Sequence, residues 1–254
     1  MMSSEPSPAS VRACVLAGGL GLRLRSVVPD RPKSLAPVGG QPFLGYVLRQ
    51  LAEQGIGHVT ICTGYGSEEV RRFADQGNGW GLEIDFSEER DPLGTAGALR
   101  LAMDRFTDDQ FLVLNGDSFF DVQFDRLMET HRSMKAEGTI AVRWTHDPGR
   151  FGSIEVDDDG RVTSFREKVE AGPALINGGI YVLERSVLAD LPLGEVASLE
   201  RDVFPALTAR AGGRGLATVA FDGWFTDIGV PADYASVDSD PEPILAALSR
   251  GARC

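Results

Sequence analysis

VRACVLAGGLGLRLRSVVPDRPKSLAPVGGQPFLGYVLRQL, residues 11–51, decides the fold. The run 11–17 is apolar apart from Arg12 and suits a buried strand. It breaks into Gly18-Gly19-Leu20-Gly21. Glycines directly after a strand let the backbone approach a ligand, and successive bare N–H groups form a concavity for phosphate oxygens. Arg23, Arg25, Arg31 and Lys33 follow, before a helix expected from Pro42. Residues 12–33 hold five Arg/Lys and one acid, Asp30, in a chain of net charge −12. This is a local anion trap in an acidic protein. Two glycines alone would also suit a plain strand-to-helix turn with exposed arginines. The loop lacks the third glycine of G-x-G-x-x-G and the Gly-Lys-Ser/Thr of a P-loop.

Working outward, 254 residues with 43% hydrophobic and 24% charged side chains suffice for one large α/β domain. The acidic balance argues against a nucleic-acid or membrane-surface partner, so an anionic ligand must be small and held in a pocket. Cys14, Cys62 and Cys254 form no CxxC pair. The first two sit in apolar runs, read as core thiols and point to a reducing cytosol. Residues 1–10 read as a disordered leader without the features of a signal peptide, and no apolar run is long enough to span a bilayer, so a cytoplasmic protein is expected.

Strands are expected at 58–63, 82–86 and 111–114. They alternate with a helix stopping near Gly55, one capped by Ser67, one from Pro92 to about Arg105, and one with Phe124, Leu127, Met128, His131 and Met134 on a face. That rhythm implies a mostly parallel sheet with helices on both faces. After Gly138 strands succeed one another at 139–144, 151–156, 161–168 and 174–183, with a turn at 157–160. A helix at 198–211, strands at 216–221 and 224–227, and helices opened by Pro231 and Pro241 complete the chain. The expected fold is therefore α/β: one Rossmann-like domain over 11–240, with a mixed, mostly parallel central sheet flanked by helices and an antiparallel extension. Residues 241–254 form a C-terminal helical tail.

Asp117 ends an apolar strand, at the edge where open α/β sheets bind ligands. Asp227 also ends an apolar run. Either acid alone suits a turn or a helix cap; together, beside a phosphate loop, they suit Mg²⁺, which takes one or two protein carboxylates. Glu167-Lys168 reads as a solvated pair, or as a sugar-hydroxyl acceptor beside a phosphate-binding cation. Asn177-Gly178-Gly179 reads as a bulge, or as backbone opened to admit a sugar. Asp157-Asp158-Asp159-Gly160 is a hairpin turn, the histidines share no metal spacing, and no covalent nucleophile stands out.

Together these pieces resemble the sugar-1-phosphate nucleotidyltransferases. The matching segments are LAGGLGLRL (16–24), RPKSLAPVGGQPFLGYVL (31–48), EERDPLGTAGAL (88–99), LNGDSFFD (114–121), FREK (165–168), INGGIYVL (176–183) and FTDIGVPADY (225–234). They run in order from about residue 11 to 235. Ser26-Val27-Val28, the run from Asn115 and the run from Phe225 look most like the D-glycero-α-D-manno-heptose 1-phosphate guanylyltransferases, with the mannose-1-phosphate guanylyltransferases next. Glucose-1-phosphate thymidylyl- or uridylyltransferases and a non-catalytic regulatory subunit are the rivals.

The resemblance implies attack of a sugar-1-phosphate oxygen on the α-phosphorus of GTP or another NTP, with Mg²⁺ as cofactor. It implies catalytic roles for Arg23, Lys33 and Asp117. It puts Leu16, Ala17, Gly18, Gly19, Gly21, Arg23, Lys33, Glu89, Gly94, Thr95 and Gly116 against the nucleotide. Gly152, Glu167, Lys168, Asn177 and Gly178 fall against the sugar phosphate, and Asp117 and Asp227 on the metal. Leu22 departs from the Thr usual after the last loop glycine, and Ser26-Val27-Val28 stands where Pro-Leu-Thr is common. No hexapeptide rhythm of a left-handed β-helix follows Tyr234. A homo-oligomer is compatible with the sequence.

Overall fold

Apolar residues alternate along the strands and put a core on each face of one sheet. The computed structural model describes residues 11–76, 80–146, 148, 151–166, 172–209 and 214–251. The chain runs β1 (Arg12–Leu16), a small hairpin of β2 (Pro37–Val38) and β3 (Gln41–Pro42), α1 (Phe43–Glu53), β4 (His58–Thr63) and α2 (Ser67–Gln76). It continues β5 (Glu83–Glu88), α3 (Gly94–Ala102), β6 (Gln110–Asn115), β7 (Ser118–Phe120) and α4 (Phe124–Ser133). Next come β8 (Gly138–Thr145), β9 (Ser153–Val156), β10 (Val162–Arg166), β11 (Ala174–Glu184) and α5 (Ser186–Ala189). The chain closes with α6 (Phe204–Thr208), β12 (Leu216–Ala220), β13 (Phe225–Asp227), α7 (Pro231–Ser239) and α8 (Glu242–Gly251).

The main sheet reads β10-β9-β11-β6-β1-β4-β5, with β8 and β12 added beyond β11. Strands β6, β1, β4 and β5 are parallel, whereas β11 is antiparallel to β6, β8 and β9. The antiparallel half therefore continues the same sheet. Ala13 and Val15 of β1, Leu112 and Leu114 of β6, and Ile180 and Val182 of β11 join one core. Cys14, Phe111, Val113, Tyr181 and Leu183, one step along, join the other. This is the two-residue period of a strand. Helices α1, α2, α4 and α8 cover the first face, and α3, α5 and α6 the second. Strand β1 thus leads through α1 to β4 on one side, while β6 on its other side is reached through α3 on the opposite face. The carboxyl ends of β1 and β6 form a topological switch point.

Several elements differ from the sequence reading. Ser67 does not cap α2: its hydroxyl donates to Glu88 Oε1 at 2.6 Å, and the Gly66 carbonyl takes the amides of Glu69 and Val70. The helix expected at 198–211 is present over 199–208, but its first turn, Leu199–Val203, is wide, with Val203 N donating to Ser198 O at 3.1 Å, and runs directly into the short α6. Pro205, lacking an N–H, cannot close an ordinary helical bond where the wide turn meets α6. Strands β2, β3 and β7 and helix α5 were not expected; each is at most four residues long. Turn 157–160 forms as expected, the Asp157 side chain accepting from the amides of Asp159 and Arg161. Among the described residues no helix is long and apolar enough to cross a membrane.

Three buried groups carry pH information. Burial, and then the Glu89 charge, push the Cys62 thiol up to about 12, and Cys14 is also raised. Both are free, buried thiols with no thiolate character. His131 on α4 is 1% exposed and shares a 2.9 Å hydrogen bond between Nδ1 and Thr139 Oγ1. Burial, then the Arg214 and Arg132 guanidiniums, lower it from 6.5 to about 4. The unfolded chain therefore binds this proton first as pH falls. The stability His131 contributes is whole above pH 6.5, declines through the acidic range and levels off below about 4. The loss amounts to about 3 kcal/mol. Urea unfolding of wild type and His131→Gln should show the difference between the two drifting by that amount from pH 7 to 4; a constant difference contradicts a neutral buried imidazole.

Candidate active site

The loop after β1 is shaped by what its glycines must avoid. Ala17 N still bonds Cys62 O at 2.8 Å, and the chain then leaves the sheet. A Cβ on Gly18 would lie 2.8 Å from Glu89 Oε1 and 3.2 Å from Gly64 N. Gly21 has φ +60°, and a Cβ there would lie 2.9 Å from Lys33 Cβ. One turn follows, with Leu24 N on Gly21 O and Val28 N on Leu24 O, both at 2.9 Å. Leu24 and Val28 are buried and anchor the turn, while Leu22 and Arg23 are left exposed. The Arg25 guanidinium stacks over Tyr65, 4.6 Å from the ring centre.

Between the ends of β1 and β6 lies a cleft of about 500 Å³, lined by Leu16, Ala17, residues 19–23, Lys33, Ser34, Pro92, Gly116, Asp117 and Gly229. Lys33 enters from a tight turn after Pro32 and donates from Nζ to Asp117 Oδ2 at 2.6 Å. The side chains are 11% and 35% exposed, so the ammonium is the more enclosed partner of a short, charge-assisted bond. Gly116 lets β6 pass close to β1: its amide donates to Leu16 O at 2.9 Å, and a Cβ would lie 2.8 Å from that oxygen.

Beyond Asp117 the chain forms β7, which pairs antiparallel with β13. Ile228 N donates to the Asp117 carbonyl at 3.0 Å, and Gly229 N to Asp227 Oδ1 at 2.5 Å. The two acids are therefore brought onto adjacent paired segments. Asp117 lines the cleft, whereas Asp227 lines a neighbouring hollow of about 400 Å³ with Phe151, Trp224, Phe225, Asp233 and Asp240.

Gly18, Glu89, Gly94 and Thr95 stand outside the cleft lining. Burial raises the Glu89 carboxyl, and a 2.9 Å bond from Leu93 N partly offsets this. The first turn of α3 is occupied by protein, because Ala197 O accepts from Ala96 N at 3.0 Å and Gly97 N at 3.2 Å. A helix N-terminus leaves amides in need of acceptors, and here a distant carbonyl supplies one.

On the other side, β11 shifts register against β8 between Asn177 and Tyr181. Asn177 Oδ1 accepts from Gly179 N at 2.8 Å, and a Cβ on Gly178 would lie 2.3 Å from Phe120 Cδ1. Gly152 is exposed just before β9. Glu167 and Lys168 lie outside the described residues. Leu20, Leu22, Ser34, Pro92 and Gly229 line the cleft without being among the residues expected at the site. The two leucines did carry a signal, being apolar residues in a loop too polar to need them for a core.

The profile of the family described as "Nucleotidyl transferase" matches residues 12–242. The chain is 37% identical to a D-glycero-α-D-manno-heptose 1-phosphate guanylyltransferase of Campylobacter jejuni, over 88% of this chain and 97% of that one. It is 36% identical to a mannose-1-phosphate guanylyltransferase of Mycobacterium tuberculosis, over 92% of this chain and 67% of that one. The crystal structure of HddC from Yersinia pseudotuberculosis complexed with GMP-PN superposes with a TM-score of 0.80 at 30% identity, covering 90% of this chain and 98% of that one.

Proposed function

The chain belongs to the nucleotidyl transferase family, and from that premise we propose that it transfers GMP from GTP to D-glycero-α-D-manno-heptose 1-phosphate, releasing pyrophosphate. The observation that carries the reading is the Lys33–Asp117 pair, set in a cleft walled by bare loop backbone at the ends of β1 and β6.

In this reaction a sugar-phosphate oxygen forms a bond to the α-phosphorus while the bond to the β-phosphate bridging oxygen breaks. The nucleophile is already an anion, so no demanding proton abstraction is required. The difficulty is bringing two polyanions together, which positioned donors and cations overcome. In this reading the amides around Gly19 and Gly21 and the Arg23 guanidinium hold the β- and γ-phosphates. Lys33, drawn from Asp117 toward an incoming α-phosphate oxygen, stabilises the charge that develops there. The wall carrying Leu16, Ala17, Gly18, Glu89, Gly94, Thr95 and Gly116 faces the nucleoside. Gly152, Glu167, Lys168, Asn177 and Gly178 face the sugar phosphate.

In this reading Asp117 and Asp227 would hold a divalent cation, Mg²⁺. Two carboxylates on paired segments match an ion that takes one or two protein carboxylates and fills its shell with phosphate oxygens and water. When bound, Mg²⁺ would supply charge neutralisation on the phosphates. The same reading takes 11–240 as the catalytic domain, 241–254 as a helical C-terminal segment, and the cytoplasm as the place of action.

A panel of GTP, UTP and dTTP against heptose, mannose and glucose 1-phosphates, assayed for pyrophosphate with Mg²⁺, tests the reading. The largest kcat/KM is expected for GTP with the heptose phosphate. A mannose preference would move the chain to the other guanylyltransferase branch, and silence with every pair would overturn the enzyme reading.

A further inference from the structure

Tyr181 is among the largest fully buried side chains, and a phenol so placed must satisfy its hydroxyl. It donates to Glu200 Oε1 at 3.2 Å and accepts from Asn177 Nδ2 at 3.0 Å. Glu200 Oε2 accepts from Thr95 Oγ1 at 3.0 Å and from Ser198 Oγ at 2.8 Å. Thr95 Oγ1 accepts from Leu199 N at 2.7 Å, and Asn177 Oδ1 from Gly179 N at 2.8 Å.

These bonds have one direction. Each hydroxyl donates toward Glu200, whose two carboxylate oxygens accept all three hydrogen bonds. One end of the chain is the first turn of α3. The other is the bulge at Asn177, Gly178 and Gly179, where β11 leaves β9 to pair with β6. The link holds a backbone amide at each end, Leu199 N on Thr95 Oγ1 and Gly179 N on Asn177 Oδ1, and is complete between them. Satisfied buried networks of this kind rigidify what they join.

We propose that Glu200 is a positioning residue: through Tyr181 it locks the Asn177 bulge to the first turn of α3 and holds the two at one spacing, the bulge and the turn being the two walls of the site in the reading above. Which substrate faces each wall rests on the reading above. The position of the lock does not.

Amide exchange of the free protein therefore tests the lock without any substrate. The Gly179 amide is held by the Asn177 side chain, so Tyr181→Phe and Glu200→Gln should each speed its exchange about tenfold. Thr95→Val, at the far end, should speed it too, while Thr95→Ser restores the wild-type rate. Exchange at Gly179 unchanged in both Tyr181→Phe and Glu200→Gln overturns the proposal.

Kinetics then separate positioning from mere support. Tyr181→Phe should raise the KM for the sugar 1-phosphate about tenfold and leave that for GTP within about twofold, whereas Glu200→Gln should raise both. An equal fall in kcat with neither KM moved would reduce Glu200 to a structural pin and overturn the proposal. If the wild type releases no pyrophosphate with any substrate pair, the functional reading fails, and the exchange result still decides the lock.

Discussion

Replacing Asp117 by asparagine is expected to leave the protein folded and to cut kcat by about a thousandfold. The substitution keeps the shape of the side chain and removes its charge. Nothing in the turn from β6 to β7 depends on that charge, because the local bonds are made by backbone: Gly116 N to Leu16 O, and Ile228 N to the Asp117 carbonyl. Two things are lost. The carboxylate proposed above as a ligand of a divalent cation becomes a weaker neutral one. Lys33, 11% exposed and bonded to Asp117 at 2.6 Å, also loses its counter-charge. An enclosed ammonium deprived of its partner costs about 1–3 kcal/mol of stability, a modest change in melting temperature beside a large change in rate. Pyrophosphate release and thermal unfolding measured on the same preparation separate the two. A variant within about tenfold of wild-type kcat would contradict the assigned role of Asp117.

The sheet was legible because its strands carry their own evidence. His58-Val59-Thr60-Ile61-Cys62-Thr63 is β-branched at four of its six positions and of strand length, and it forms β4 over those residues. The change of rhythm after Gly138 marked where parallel pairing gives way to antiparallel. What escaped was short or decided at a distance. Strand β7 has three residues and forms only because β13, more than a hundred residues later, pairs with it. The hairpin of β2 and β3 contains Pro37 and Pro42, which argue against strands when read locally. At the site, the glycine loop and Asp117 could be placed from strand ends alone. That Thr95 bonds Glu200 could not, since nothing near either residue names the other. The same holds for Ala197, the residue that occupies the first turn of α3.

Gly94→Ala should be more damaging than alanine at either Gly40 or Gly97, and the three alanines together say why. Gly94 has φ +74°, and a Cβ there would lie 2.5 Å from Ala197 O and 3.1 Å from Ala197 C. The left-handed backbone costs about 1–2 kcal/mol for any side chain. The clash adds more, because Ala197 O is the acceptor for Ala96 N and Gly97 N and cannot retreat without releasing both. About 3 kcal/mol in all is expected from backbone strain and a weakened pair of amide bonds. Gly40 isolates the first cost: its φ is +80°, but a Cβ there meets nothing within 4 Å. Gly97 isolates the second: it sits inside α3, yet a Cβ would lie 2.4 Å from Glu195 O. Alanine at Gly97 also gains about 1 kcal/mol of helix propensity, so its measured cost understates the clash. Urea unfolding should therefore rank Gly94→Ala above both. If Gly94→Ala costs no more than Gly40→Ala, the loop at Ala197 yields freely, and the first turn of α3 is not held by that carbonyl.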